Sequence, residues 1–153
     1  MANKCFRDLP VWQSGMELTE QIYRVTRTFP KAEADRLASQ LQRAAVRIPS
    51  HIAEGHASEQ SEEYACHLAQ AQSALAELET LLEIAARLDY LLSEQLHGLL
   101  RRATSLNRHL SALRQSLAMM SGQEEAYPAQ EPPHLRITTI SSTGSLLADE
   151  RHR

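Results

Sequence analysis

Apolar residues recur along this chain at alternating steps of three and four, which is the period of one face of an α-helix. The longest stripe is Leu96, Leu99, Ala103, Leu106, Leu110, Leu113, Leu117 and Met120, and it predicts a helix over about 94–120 that starts at Ser93. Tyr64, Leu68, Ala71, Leu75, Leu78, Leu82 and Ala85 repeat the pattern and predict a helix over about 60–91, capped by Ser58 or Ser61. Ala34, Leu37, Leu41, Ala44, Ile48 and Ile52 predict one over about 32–54. Pro49 lies inside that stripe and removes a backbone hydrogen bond, so a kink is expected there; the stripe resumes at Ile52 and the helix continues to a cap at Gly55. Leu9, Trp12, Met16, Thr19, Tyr23 and Thr26 predict a first helix over about 8–29, with Asp8 as N-cap, Pro10 in the opening turn and Phe29-Pro30 as the stop. Sustained 3-4 spacing is a heptad repeat and implies helices packed at about +20°. Short connections make neighbours antiparallel. The expected fold is all-α, an antiparallel up-down four-helix bundle over residues 1–120.

From Ser121 onward the stripe is lost, and Glu131-Pro-Pro and Ser141-Ser-Thr-Gly-Ser are typical of linkers. Residues 121–153 read as a Pro/Ser/Thr-rich tail, mostly disordered. Within it, Leu135-Arg-Ile-Thr-Thr-Ile140 has strand-like composition and suits docking on a partner. Off-stripe apolar residues (Val11, Leu18, Ile22, Val25, Leu81, Ile84, Leu88, Leu92 and Leu100) exceed what one buried seam needs, which favours self-association.

Composition agrees with helices. Of 153 residues 22 are Leu and 21 are Ala, against 3 Val and 6 Ile, so a mostly-β or doubly wound fold is excluded on propensity. No run of about 18 apolar residues is present, so no membrane span is expected. The first eight residues lack the apolar core of a signal peptide, and a cytoplasmic location follows as the expectation. Cys5 and Cys66 have no metal-binding spacing and read as free thiols.

The net charge of -3 conceals a segmental pattern. Residues 24–53 carry six basic and two acidic side chains; residues 54–94 carry nine acidic and one basic; residues 95–120 carry four arginines and no acid. Arg36, Arg43 and Arg47 share one face of the second helix, and Arg101 and Arg108 share a face of the fourth. These faces either bind phosphate or pair with the acidic third helix and solvent. Phosphate contacts need only several cations within reach of one backbone. No aromatics are interleaved with them, so such binding would read charge and shape rather than bases.

Catalytic and metal signatures are weak. There is no Gly-rich phosphate loop, GxSxG or HExxH, so no enzymatic activity, cofactor or metal is assigned. Glu94-x-x-His97 is one half of a di-iron carboxylate pattern that needs two such pairs. Glu63 and His67, beside Cys66, read as an exposed helix start. His51, Glu54 and His56 cluster around Gly55, where capping and packing explain them most cheaply; a metal- or small-molecule-binding bundle built on them is the third and weakest functional reading. Trp12 reads as core.

Asp8-Leu-Pro-Val-Trp-Gln13, Phe29-Pro30 and the run Ser39-Gln40-Leu-Gln-Arg43-Ala-Ala-Val-Arg-Ile-Pro49-Ser-His51-Ile-Ala-Glu54-Gly55 resemble the proteins encoded in intervening sequences of bacterial 23S rRNA genes. The resemblance covers about residues 8–117, and Trp12, Gln40, Arg43, Pro49, His51, Glu54 and Gly55 carry it. Arg47 stands where that pattern has Ser, and His51 where it has Asn. The resemblance implies a four-helix bundle that assembles into a homopentamer. It also implies kinship with the accessory variability determinant proteins of diversity-generating retroelements, basic pentamers that bind a reverse transcriptase and RNA. The leading expectation is a non-enzymatic oligomeric adaptor binding structured nucleic acid through Arg36, Arg43, Arg47, Arg101 and Arg108, with a reverse transcriptase as a further partner. The alternative is a protein–protein scaffold without nucleic-acid binding.

Overall fold

A computed structural model describes residues 5–124, with side-chain environments for residues 5–122. The described residues form four α-helices and no strand: α1 (Pro10–Thr26), α2 (Leu37–Ala57), α3 (Ser61–Arg87) and α4 (Ser93–Glu124), with short 3₁₀ turns at Phe6–Asp8 and Lys31–Glu33. Each helix packs on its two neighbours in a ring, α1 on α2, α2 on α3, α3 on α4 and α4 back on α1. The diagonal pairs do not meet, so α2 and α4 occupy opposite corners. Cross-helix bonds show the antiparallel sense. Thr19 meets Ala45 while the later Thr26 meets the earlier Gln42. Arg47 meets Glu77 while the later Glu54 meets the earlier His67.

The stripes of α2, α3 and α4 are the core. Leu37, Leu41, Ala44, Ile48 and Ile52 of α2, Leu68, Ala71, Leu75, Leu78, Leu82 and Ala85 of α3, and Leu96, Leu99, Ala103, Leu106 and Leu110 of α4 are all buried in one cluster. The α4 stripe then leaves the core: Leu113 and Leu117 are only partly buried and Met120 is exposed. The helix outruns its partners here, because α3 begins only at Ser61 and supplies no further turn to cover it. It continues to Glu124, so residues 121–124 are helical rather than tail; the expected disorder and the Leu135–Ile140 segment lie outside the described residues.

α1 packs through a different face from the expected one. Val11, Gly15, Leu18, Ile22 and Thr26 face the core, whereas Met16 and Tyr23 are 42% and 44% exposed and Trp12 is half-buried. Both sets have 3-4 spacing, so periodicity does not choose between them. The close crossing with α2 does: Gly15 sits against Ile48 and Pro49, where any bulky residue would hold the helices apart. Val11, Leu18, Ile22 and Leu81 are thereby spent in the core and do not form a second surface, and Val25 and Leu100 are partly buried against it. Of the surplus apolar residues only Ile84, Leu88 and Leu92 are exposed; Met16, Tyr23 and Val46 join them as exposed apolar groups.

The helix ends shift for local reasons. Proline is favoured at the first helical position, so α1 starts at Pro10 with Leu9 as its N-cap, and Asp8 belongs to the 3₁₀ turn instead. The non-helical backbone of Arg36 delays α2 to Leu37 and leaves Ala34 exposed in a turn. α2 runs through Gly55 to Ala57, so Gly55 is not its cap. Gln60, not a serine, is the N-cap of α3. α3 stops at Arg87 because Asp89 takes a left-handed conformation, φ 58°. The amide N–H groups of Tyr90 and Asp89 then donate to the carbonyls of Ala85 and Ala86, a Schellman closure built without glycine. At the start of α4, the Gln95 side chain accepts the N–H of Leu92, half of a capping box.

Candidate nucleic-acid interface and an inter-helix histidine cluster

The arginines predicted to bind phosphate are all exposed, but Arg36 is the non-helical N-cap residue before α2 and so does not share a helical face with Arg43 and Arg47. Arg47 Nη1 donates to Glu77 Oε2 of α3 at 2.7 Å, with both side chains about half exposed. The paired arrangement considered for these faces is therefore realised at Arg47. Arg36, Arg43, Arg101 and Arg108 have no ion-pair partner among the described residues. Arg101 and Arg108 flank a shallow depression on the outer face of α4, lined also by His97, Leu100, Thr104 and Ser105. The adjoining α3/α4 groove carries Glu79, Glu83 and Thr80. Desolvation in that groove pushes the Glu79 carboxyl above its ordinary range. The two arginine sets thus lie on opposite corners of the bundle, with acidic α3 between them on one side and α1 on the other. They are two patches rather than one.

The motif residues of α2 divide by what they touch. Gln40 and Arg43 face solvent, while Pro49 is buried where α1 crosses. Trp12 packs edge-on to Phe6 and against the core. Gly55 is buried where α3 comes close: a Cβ there would lie 2.6 Å from Tyr64 Cδ2 and 2.9 Å from His67 Cβ.

That close approach creates a cluster the sequence spacing did not assemble. His51 Nδ1 lies 3.0 Å from Glu54 Oε2, and His67 Nδ1 of α3 lies 3.5 Å from the same oxygen. The two imidazole rings tilt past each other with centroids 6.2 Å apart. His67 Nδ1 is fully buried and makes no hydrogen bond. His56, grouped with His51 and Glu54 on sequence, instead packs edge-on to Tyr64, whose hydroxyl burial holds above its usual range. On sequence His67 groups only with Glu63 and Cys66; Cys66 is exposed, a free thiol like Cys5. Glu94 and His97 gather no further ligands among the described residues.

The described residues thus define an all-helical bundle with its apolar stripes buried and its arginines exposed. The chain belongs to the 23S rRNA-intervening sequence protein family, whose model matches residues 7–112. The match ends just past Leu110, the last fully buried residue of α4. No curated protein is found to match the chain. No helix among the described residues is long and apolar enough to cross a membrane.

Proposed function

We propose that this protein is a non-enzymatic, self-assembling adaptor that binds structured RNA through the exposed arginines of α2 and α4 and through Arg36 just before α2. One observation carries the proposal. Arg36, Arg43, Arg101 and Arg108 project without an ion-pair partner among the described residues, although the acidic helix α3 stands between the two sets. Unpaired exposed guanidiniums displace counterions from a phosphate backbone, and affinity gained that way falls with salt. Two small patches on opposite corners bind weakly alone. Repetition in an assembly converts them to a multivalent surface. The homopentamer implied by resemblance supplies that repetition. Two unlike apolar sets support it, Met16, Tyr23 and Val46 on α1 and α2, and Ile84, Leu88 and Leu92 around the end of α3, as a head-to-tail ring requires. The same resemblance nominates a retroelement reverse transcriptase as the protein partner.

The test is a mobility-shift titration with a structured RNA over a salt series. Arg43→Glu with Arg47→Glu, and separately Arg101→Glu with Arg108→Glu, should abolish RNA retention with helicity unchanged. Binding that ignores both salt and these substitutions overturns the proposal. Light scattering on the same samples reads the assembly, and co-purification with a reverse transcriptase reads the partner. The Arg47–Glu77 pair favours a second reading, a protein scaffold in which arginines serve α2–α3 packing. That reading expects no RNA shift at moderate salt.

A further inference from the structure

We propose that His51, Glu54 and His67 form a binding site for one divalent transition-metal ion, zinc being the ion that best fits the donor set. Two imidazoles and one carboxylate are borderline ligands of the type zinc takes, and three protein ligands leave a fourth position for water. Bonds of roughly 2.0–2.2 Å in a tetrahedron place neighbouring ligand atoms about 3.3 Å apart. Here Glu54 Oε2 lies 3.0 Å from His51 Nδ1 and 3.5 Å from His67 Nδ1, and all three atoms fall within 4.8 Å of one another. The ligands are brought together by packing already described. His51 and Glu54 are one turn apart on α2, and His67 reaches them because Gly55 lets α3 approach. The state of His67 Nδ1 adds to the distances. This atom is buried and makes no hydrogen bond although the shared carboxylate oxygen lies 3.5 Å away, which is a costly arrangement that a metal ion would relieve. The ion would tie α2 to α3 at the end of the bundle where the connection is only three residues long. The site is independent of the RNA-binding proposal, since none of its ligands belongs to the arginine faces.

The test uses the full chain, stripped with a chelator and exchanged into chelator-free buffer, with zinc ion alone as the probe. Competition against a chromophoric chelator should give one zinc per chain, and the thermal midpoint should rise with zinc concentration, as binding to the folded state requires. His51→Asn with His67→Ala should weaken binding at least about 100-fold and remove the thermal shift while helicity is retained. Gly55→Ala, which displaces His67 without deleting a ligand, should weaken binding in the same assay. Cobalt substitution provides a separate readout, with the visible absorption of a tetrahedral ion present in the wild type and absent from the double variant. Zinc bound equally by the wild type and the double variant would assign it to other histidines and overturn the proposal. Absence of binding by the wild type would overturn it as well.

Discussion

The hydroxyl of Thr19 in α1 lies 3.0 Å from the carbonyl oxygen of Ala45 in α2, the acceptor whose usual intrahelical donor Pro49 lacks. Its single proton is shared with the Gly15 carbonyl at 2.8 Å. α2 therefore passes through its proline as one continuous helix because a neighbouring helix supplies a donor. Thr19→Val should cost roughly 1–2 kcal/mol, since it leaves the Ala45 carbonyl unsatisfied beside the core. In a Pro49→Ala background, where residue 49 regains an N–H, the same change should cost less. Urea denaturation of the four proteins reads the coupling, and strict additivity would contradict the assignment.

The two helical glycines should respond oppositely to alanine. At Gly15 a Cβ meets Ile48 and Pro49 at 3.6 Å, an ordinary contact. Gly15→Ala should stabilise the bundle by roughly 0.5–1 kcal/mol by removing the entropy penalty of a mid-helix glycine. At Gly55 the methyl collides with the Tyr64 ring and with the Cβ of His67, which the backbone holds in place. Gly55→Ala should destabilise by roughly 1–3 kcal/mol through overpacking. Thermal unfolding of the metal-free protein distinguishes the two.

Asp89 is the non-glycine residue with positive φ among those described. Asp89→Gly should raise stability by roughly 0.5 kcal/mol, because the left-handed conformation then carries no Cβ penalty while the closing bonds to Ala85 and Ala86 persist. A lowered melting midpoint would mean that the Asp89 side chain itself holds the turn.

Breaking the Arg47–Glu77 pair separates stability from binding. Both partners are half exposed, so Glu77→Gln should change stability by less than about 1 kcal/mol. It releases Arg47, and RNA affinity at low salt should rise together with a steeper salt dependence. Unchanged affinity would place Arg47 outside the interface.

Glu79 gives a pH signature of known sign. Desolvation raises its folded-state pKa above the unfolded value, so its contribution to stability is present in acid, where both states are protonated, and is lost as pH rises through the folded pKa. Glu79→Gln should match the wild type near pH 4 and exceed it slightly at pH 7. The reverse ordering at pH 7 would indicate that Glu79 is stabilised by the cations of α4.

What could be read from the residues, and what could not, divides along physical lines. The all-α fold, the four helices and the buried stripes of α2, α3 and α4 follow from one-dimensional periodicity, because Leu and Ala at 3-4 spacing have one strongly favoured way to leave water. Exposure of Arg43, Arg47, Arg101 and Arg108 was equally legible, since each sits opposite a buried stripe. α1 was not, because it carries two apolar faces of similar period; the choice fell to the crossing with α2, where Gly15 lies against Ile48 and Pro49 and leaves room for no bulky side chain. The end of α3 depended on an aspartate taking a conformation usually left to glycine.

The histidine cluster shows the same limit more sharply. His51 and Glu54 are visible as a pair one helical turn apart, but His67 enters from another helix at a register that Gly55 sets through contact with Tyr64 and His67. The pairing of Arg47 with Glu77, and not of Arg43 with any described acid, is likewise a matter of register. Sequence alone determined which faces are apolar and which residues carry charge, because those depend on each residue's own affinity for water. Tertiary structure decided which apolar face of α1 is buried and which polar groups meet, because those depend on how two helices approach; at α2 and α3 that approach needs the missing side chain of Gly55.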